Sequence, residues 1–161
     1  MSFLILFLII IGLLFATAYI TKRRFGVLGL ALAAGAMLGN LWVGNLTPLI
    51  AQAGIVLVKP PLESVVLAAL ILLPALLLLS SGPSYKAQTQ RFIGAGAFAV
   101  LAAALLLEPL GSALVIDGVG QPVYDFFVRN HVIIITVCLI LAIFDLLMTK
   151  SPKAHHKDHK E

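Results

Sequence analysis

Apolar residues in this chain come in unbroken blocks separated by short charged gaps. Phe3 to Ile20, Phe25 to Gly44, Val65 to Ser80 and His131 to Met148 are almost wholly apolar, with Asp145 the single charge among them, and Phe92 to Leu107 is equally apolar but built mostly from Gly and Ala. A bilayer core of about 30 Å needs about 20 such residues per helix, and each block reaches or approaches that length. The pattern predicts an all-α polytopic membrane bundle with five transmembrane helices, at about 3–20, 25–44, 63–80, 92–109 and 131–148. These form one integral domain over 1–150, followed by a polar tail over 151–161.

Composition agrees: 61% of the 161 residues are hydrophobic and only 11% charged, against about a quarter charged in soluble domains. The net charge of +4 would suggest nucleic acid in a soluble protein. Here the cations sit at block ends, where they set topology and attract anionic headgroups, so no nucleic-acid partner is expected. Lys22, Arg23, Arg24, Lys86, Arg91, Lys150 and the tail lysines Lys153, Lys157 and Lys160 fall on one side of a five-span chain, and only Lys59 and Arg129 on the other. The positive-inside rule then places the N-terminus outside and the C-terminus in the cytoplasm of an inner-membrane protein. No basic residue precedes the first block and three follow it, which favours an uncleaved helix over a signal peptide.

Two outer loops carry further structure. Leu46 to Val58, closed by Lys59-Pro60-Pro61, is too short to span and too apolar to float. It reads as an interfacial or re-entrant segment; the alternative, a sixth crossing, would invert everything after it. Leu110 to Asn130 holds turn-forming glycines and the cluster Val123-Tyr124-Asp125-Phe126-Phe127, which predicts a short amphipathic helix on the outer surface.

Lipid supplies no hydrophobic force between helices, so small residues that let backbones approach mark the packing faces. Ala31, Gly35 and Gly39 form such a stripe on the second helix, and Ala95, Ala99 and Ala103 on the fourth. These two helices are expected at the centre. Their flanks match as well: Lys22-Arg23-Arg24-Phe25-Gly26 opens one and Gln90-Arg91-Phe92-Ile93-Gly94 the other. With a small gap, Gly26, Ala31 and Gly35 fall opposite Gly94, Ala99 and Ala103. An internal duplication of two hairpins follows, related by an axis along the membrane normal.

Chemistry-bearing motifs are sparse. GxxxxGK[ST], HExxH, GxSxG and CxxC are all missing from the sequence, so the chain reads as non-enzymatic, with no catalytic, cofactor or metal site. Cys138 is the only cysteine and excludes an intramolecular disulfide. Asp145 is costly inside an apolar block and therefore a candidate functional group, yet it lies near the inner interface, where Lys150 can neutralise it. Glu108, before Pro109 at the outer headgroup level, is the second polar candidate. Pro74 frees a carbonyl near Leu70. The tail over 151–161 reads as disordered and held at anionic lipid by its lysines, with weak transition-metal binding by its histidines His155, His156 and His159 as the alternative reading.

The basic turn before a Gly/Ala-rich second helix, Lys22 to Gly39, and the Arg-led, Gly/Ala-rich fourth helix, Arg91 to Ala104, resemble the CvpA family of bacterial inner-membrane proteins linked with colicin V production. The resemblance implies a helical membrane core supporting toxin production or export, or envelope homeostasis. The other reading from the residues is a small transporter or channel subunit acting as an oligomer. Either implies anionic lipid, a second copy of the chain or another membrane protein as partner.

Overall fold

The computed structural model describes residues 3–54, 57, 60–79, 84–85, 87–113 and 120–148. The tail, with its histidines, together with Lys59, Lys86, Asp117 and Lys150, lies outside them. Five helices run in order: α1 (Phe3–Thr21), α2 (Phe25–Gln52), α3 (Leu62–Leu79), α4 (Gln88–Ala113) and α5 (Gln121–Leu147). Among the described residues there is no strand, only an isolated bridge between Arg23 and Ser84. Four helices, α2 to α5, are long and apolar enough to cross a membrane, and α1 is a shorter apolar helix.

Two element boundaries correct the sequence reading. The stretch from Leu46 to Gln52 is not a separate re-entrant segment, because α2 continues through Pro48 without a break. A proline in a helix forfeits one backbone bond and is tolerated where neighbours or lipid leave no better partner for the chain. The 28 residues of α2 make a rod of about 42 Å, longer than the bilayer core. The aromatic cluster Val123 to Phe127 is likewise no separate surface helix. Pro122 stands in the first turn of α5, where its missing N–H is no loss, and the helix runs on from there to Leu147. The turn signals Gly118 and Gly120 end just before that start.

Connection order does not decide packing. Helices α1 and α2 are joined by three residues, yet α1 lies mainly against α4, α3 lies against α2, and α5 against both α2 and α4. Since α2 and α4 also touch each other, they occupy the middle. The largest fully buried side chains, Leu28 and Leu32 of α2 and Phe98 and Leu101 of α4, lie in these two helices. Ala31, Ala95, Ala99 and Ala103 are buried as well, and so are Gly35 and Gly39.

Close approach is achieved at particular glycines. A Cβ on Gly35 would fall onto the carbonyl oxygen of Ile71 and lie 2.7 Å from that of Leu70, and one on Gly39 would meet Leu67 at 2.6 Å. Pro74 explains the local geometry: without an N–H it cannot bond the Leu70 carbonyl four residues back, and that oxygen faces α2. The same device operates against α5, where a Cβ on Gly26 would be 2.5 Å from the Ala142 carbonyl and one on Gly29 would be 3.1 Å from the Ala142 methyl. Outside these contacts the surface is oily. Leu13, Met37, Leu77, Phe92, Ile133 and Leu147 are all well exposed, as a lipid solvent allows.

Candidate functional site

Every backbone carbonyl in the last turn of a helix lacks an intrahelical donor, and the helix dipole makes that end negative. Helices α1, α3 and α5 end on the same face, and none carries a basic residue in its last turn. The missing cations come from the helices that begin there. Arg23 Nε donates to the Leu79 carbonyl of α3 at 3.1 Å, Arg24 Nη1 to the Asp145 carbonyl of α5 at 3.2 Å, and Arg91 Nη2 to the Tyr19 carbonyl of α1 at 2.8 Å. Two of the guanidiniums also lie over aromatic rings, Arg91 at 4.5 Å from the centre of Tyr19 and Arg24 at 5.5 Å from that of Tyr85. These three arginines, expected as topology markers facing headgroups, are half-buried and bond the protein itself. Lys22 stays exposed in the α1–α2 turn, with a left-handed φ of +57°, and its carbonyl accepts the Tyr85 N–H at 2.8 Å.

The N-terminus of α2 is held by side chains from elsewhere in the chain. Arg24, at the N-cap, makes no side-chain capping bond to its own helix. Instead the Phe25 N–H donates to the Tyr85 hydroxyl at 3.1 Å, the Gly26 N–H donates to Asp145 Oδ2 at 2.9 Å, and the Tyr85 hydroxyl bonds the Asp145 carboxylate. A carboxylate opposite the positive end of a helix is favourably placed. Asp145 is thus a cap for α2, and only glycine at position 26 leaves room for α5 to bring it there. Gly94 of α4 completes the node, since a Cβ there would lie 2.7 Å from the Tyr85 ring.

Burial, with a smaller contribution from the Asp145 carboxylate, pushes the Tyr85 hydroxyl from 10.0 up to about 12. Below pH 10 the phenol is neutral folded or unfolded. Between pH 10 and about 12 the unfolded chain releases this proton and the folded one keeps it, so stability falls as pH rises through that window. Wild-type protein is expected to lose thermal stability there, and Tyr85→Phe to lose less over the same interval. Parallel melting curves at pH 9 and 11 check this, and identical losses in both proteins would refute it.

Beside this node is a cavity of about 600 Å³, with Arg24, Tyr85, Gln90 and Asp145 at its polar end and Ile93 and Leu141 along its wall. A second cavity, of about 400 Å³, opens at the far end of the bundle between α2, α3, α4 and α5. Its polar lining is Asn40, Glu108, Tyr124 and His131; Ala36, Ile71 and Ala104 are among its apolar walls. The sequence reading singled out Glu108 but missed Asn40, Tyr124 and His131 as members of one site with it. With α5 starting at Gln121, Tyr124, Val128, His131 and Ile135 recur at intervals of four, three and four residues, one face of a helix. That period was visible, but a boundary at His131 cut it in two. His131 Nδ1 lies 2.6 Å from the carbonyl of Val128 in its own helix. Among the described residues no three of His, Cys, Asp and Glu converge as metal ligands would.

Neither a known family profile, nor a curated protein, nor a solved structure matches this chain.

Proposed function

We propose that the chain is a non-enzymatic protein of the cytoplasmic membrane that crosses it five times, N-terminus outside and C-terminus in the cytoplasm. In this reading it is CvpA-like and supports toxin production or export, or envelope homeostasis, by serving as a firmly assembled membrane partner. The observation that carries the reading is the arginine-tied face. Arg23, Arg24 and Arg91 come from two helix starts and hold the carbonyl ends of three other helices, which suits a platform more than a moving part. Placing that face in the cytoplasm accords with the distribution of Lys and Arg.

An internal two-fold also fits the contacts. Exchanging α1 with α3 and α2 with α4 turns the α1–α4 pairing into the α3–α2 pairing, both of which occur. It also turns the bond from Arg23 to the end of α3 into the bond from Arg91 to the end of α1. Helix α5 stands outside this symmetry.

The test is deletion of the gene in its native host, with restoration by the wild-type chain, reading secreted toxin and resistance of the envelope to detergent. Loss of either on deletion is expected, and a strain indistinguishable from its parent overturns the reading. Orientation has its own measurement in a Cys138→Ala background. Gln121→Cys is expected to react with an impermeant thiol reagent on whole cells, and Ala87→Cys only after permeabilisation; the reverse pattern sinks the assigned topology.

A second reading, a small oligomeric transporter or channel subunit, is favoured by one feature only, the gathering of Asn40, Glu108, Tyr124 and His131 around a single cavity.

A further inference from the structure

We infer that the groove at the arginine-tied face, between the start of α4 and the end of α5, binds one phospholipid of the surrounding membrane, with its phosphodiester at Arg24 and an acyl chain along Ile93, Ala97 and Leu141. The inference rests on the membrane-spanning part of the proposed function, and on neither the scaffold role nor the orientation. The cavity there holds about 600 Å³, within the range of small-molecule sites, which combine apolar walls with a few convergent polar groups. Gln90, Ile93 and Ala97 recur at helical spacing on α4, as do Leu141, Asp145 and Met148 on α5, and all six line the cavity. These two helices are in contact, so the two faces run side by side. At 1.5 Å per residue the groove extends about 10 Å inward from Gln90 to Ala97, and Leu141 lies about 6 Å inward of Asp145. Ile93 and Leu141 are well exposed. The wall therefore opens sideways, towards hydrocarbon, and its occupant enters from the bilayer.

The outer end of the groove suits a phosphate. Arg24 directly precedes the first apolar residue of α2, and Gln90 stands two residues before that of α4, the level at which headgroups meet hydrocarbon. The Arg24 guanidinium is held from two sides, by the bond from Nη1 to the Asp145 carbonyl at 3.2 Å and by the Tyr85 ring, whose centre is 5.5 Å away. Its planar fork presents donors in more than one direction. Arg24 can thus keep that carbonyl and still meet an oxyanion, and Arg–phosphate bonds are among the strong ones. The exposed Gln90 adds an amide donor. The Asp145 carboxylate shares this end but is engaged by α2, where the Gly26 N–H bonds Oδ2 at 2.9 Å and the Tyr85 hydroxyl joins it. In sequence, Lys86 follows Tyr85 and Lys150 stands two residues after Met148, so the segments that continue from the lining add cations. Small side chains keep the groove open further in, Ala97 leaving room beside Ile93 for an acyl chain.

The test uses the purified full chain in detergent, titrated with dioleoylphosphatidylglycerol and read by native mass spectrometry as lipid bound per chain. Dioleoylglycerol supplies the same chains without phosphate, and glycerophosphate the phosphate without chains. The phospholipid is expected to bind saturably and both counterparts at least about tenfold more weakly. Arg24→Gln should weaken the phospholipid about tenfold and remove its advantage over dioleoylglycerol. Lys22→Asn, which removes an exposed cation of the same face that does not line the groove, should leave binding unchanged; asparagine suits the left-handed backbone there. Ala97→Phe blocks the groove while keeping Arg24, and should weaken the phospholipid by a similar factor. Reactivity of the buried Cys138 thiol on heating reports whether each variant is folded. Absence of saturable phospholipid binding, equal binding of either counterpart, or equal effects of Arg24→Gln and Lys22→Asn would each overturn the inference. An alkaline wash of cell membranes separates it from the reading beneath: a chain that resists the wash yet binds no phospholipid ends the site alone, and a chain released by the wash ends both.

Discussion

Gly35→Leu is expected to prevent assembly of the bundle, and Gly35→Ala to weaken it measurably. The atoms that a side chain at position 35 would strike are backbone: the carbonyl oxygens of Ile71 and Leu70 and the carbonyl carbon of Ile71. A flexible side chain could swing away, but a helix backbone moves only with the whole of α3. For alanine, the strain of a small-to-large change in a packed interior is about 2 kcal/mol, with loss of the Cα–H contacts that glycine makes to facing carbonyls. Leucine would force α2 and α3 apart along the most extensive helix pairing in the protein. The sole cysteine is a built-in reporter, because Cys138 is buried and reacts with a thiol dye once the bundle opens. Gly35→Ala should melt several degrees lower, and Gly35→Leu should give no monodisperse protein in detergent. Gly44→Ala, at a glycine with nothing within 4 Å of the added carbon, should behave as wild type. A Gly35→Leu protein that purifies and melts normally would show that α2 and α3 do not meet as described.

Asp145→Leu ranks second. It strips the Gly26 N–H of its acceptor and leaves the buried Tyr85 hydroxyl without the carboxylate it bonds. Hydrogen bonds to a charged group contribute about 1.5–3 kcal/mol each, and Asp145 is only partly buried, so a total loss of about 3 kcal/mol is expected. Asp145→Asn keeps an acceptor and loses the charge opposite the α2 dipole, and should lose about half as much. Combining Asp145→Leu with Tyr85→Phe tests the assignment, because residues sharing one network do not lose stability additively. The double variant should be more stable than the sum of the two single losses predicts. Strict additivity would place Asp145 and Tyr85 in separate environments. A different null is informative too: an Asp145→Leu protein as stable as wild type would show that the carboxylate is no cap at all.

Some of this architecture was legible because it is local. Apolar blocks of membrane-spanning length are a property of contiguous residues, and so are the small-residue stripes through Gly35 and Ala99, which the structure places in the interior. Boundaries were less legible. The sequence sets Leu46 to Val58 and Leu110 to Asn130 apart from the spans, whereas α2 continues through Pro48 and α5 already begins at Gln121. The second misreading had a functional consequence, since it separated Tyr124 from His131 and hid the face that lines the far cavity. Arg23, Arg24 and Arg91 were recognised as charges gathered at one end, but their acceptors were not. Those acceptors lie 56, 121 and 72 positions away in the chain, and nothing in the spacing of basic residues points to them.

By itself the amino-acid order determined the helical character of the chain, the apolar stretches long enough to cross a membrane, the close-packing positions on α2 and α4, and the gathering of cations between particular helices. Tertiary structure alone decided that α1 pairs with α4 in preference to its own hairpin partner, that arginines finish helices other than their own, and that Asp145 caps α2. The division has a physical cause. In water, hydropathy separates inside from outside and so also hints at neighbours. In lipid both sides of a helix are equally oily, so choice of neighbour passes to shape and to a few long-range hydrogen bonds, which exist only once the helices have met.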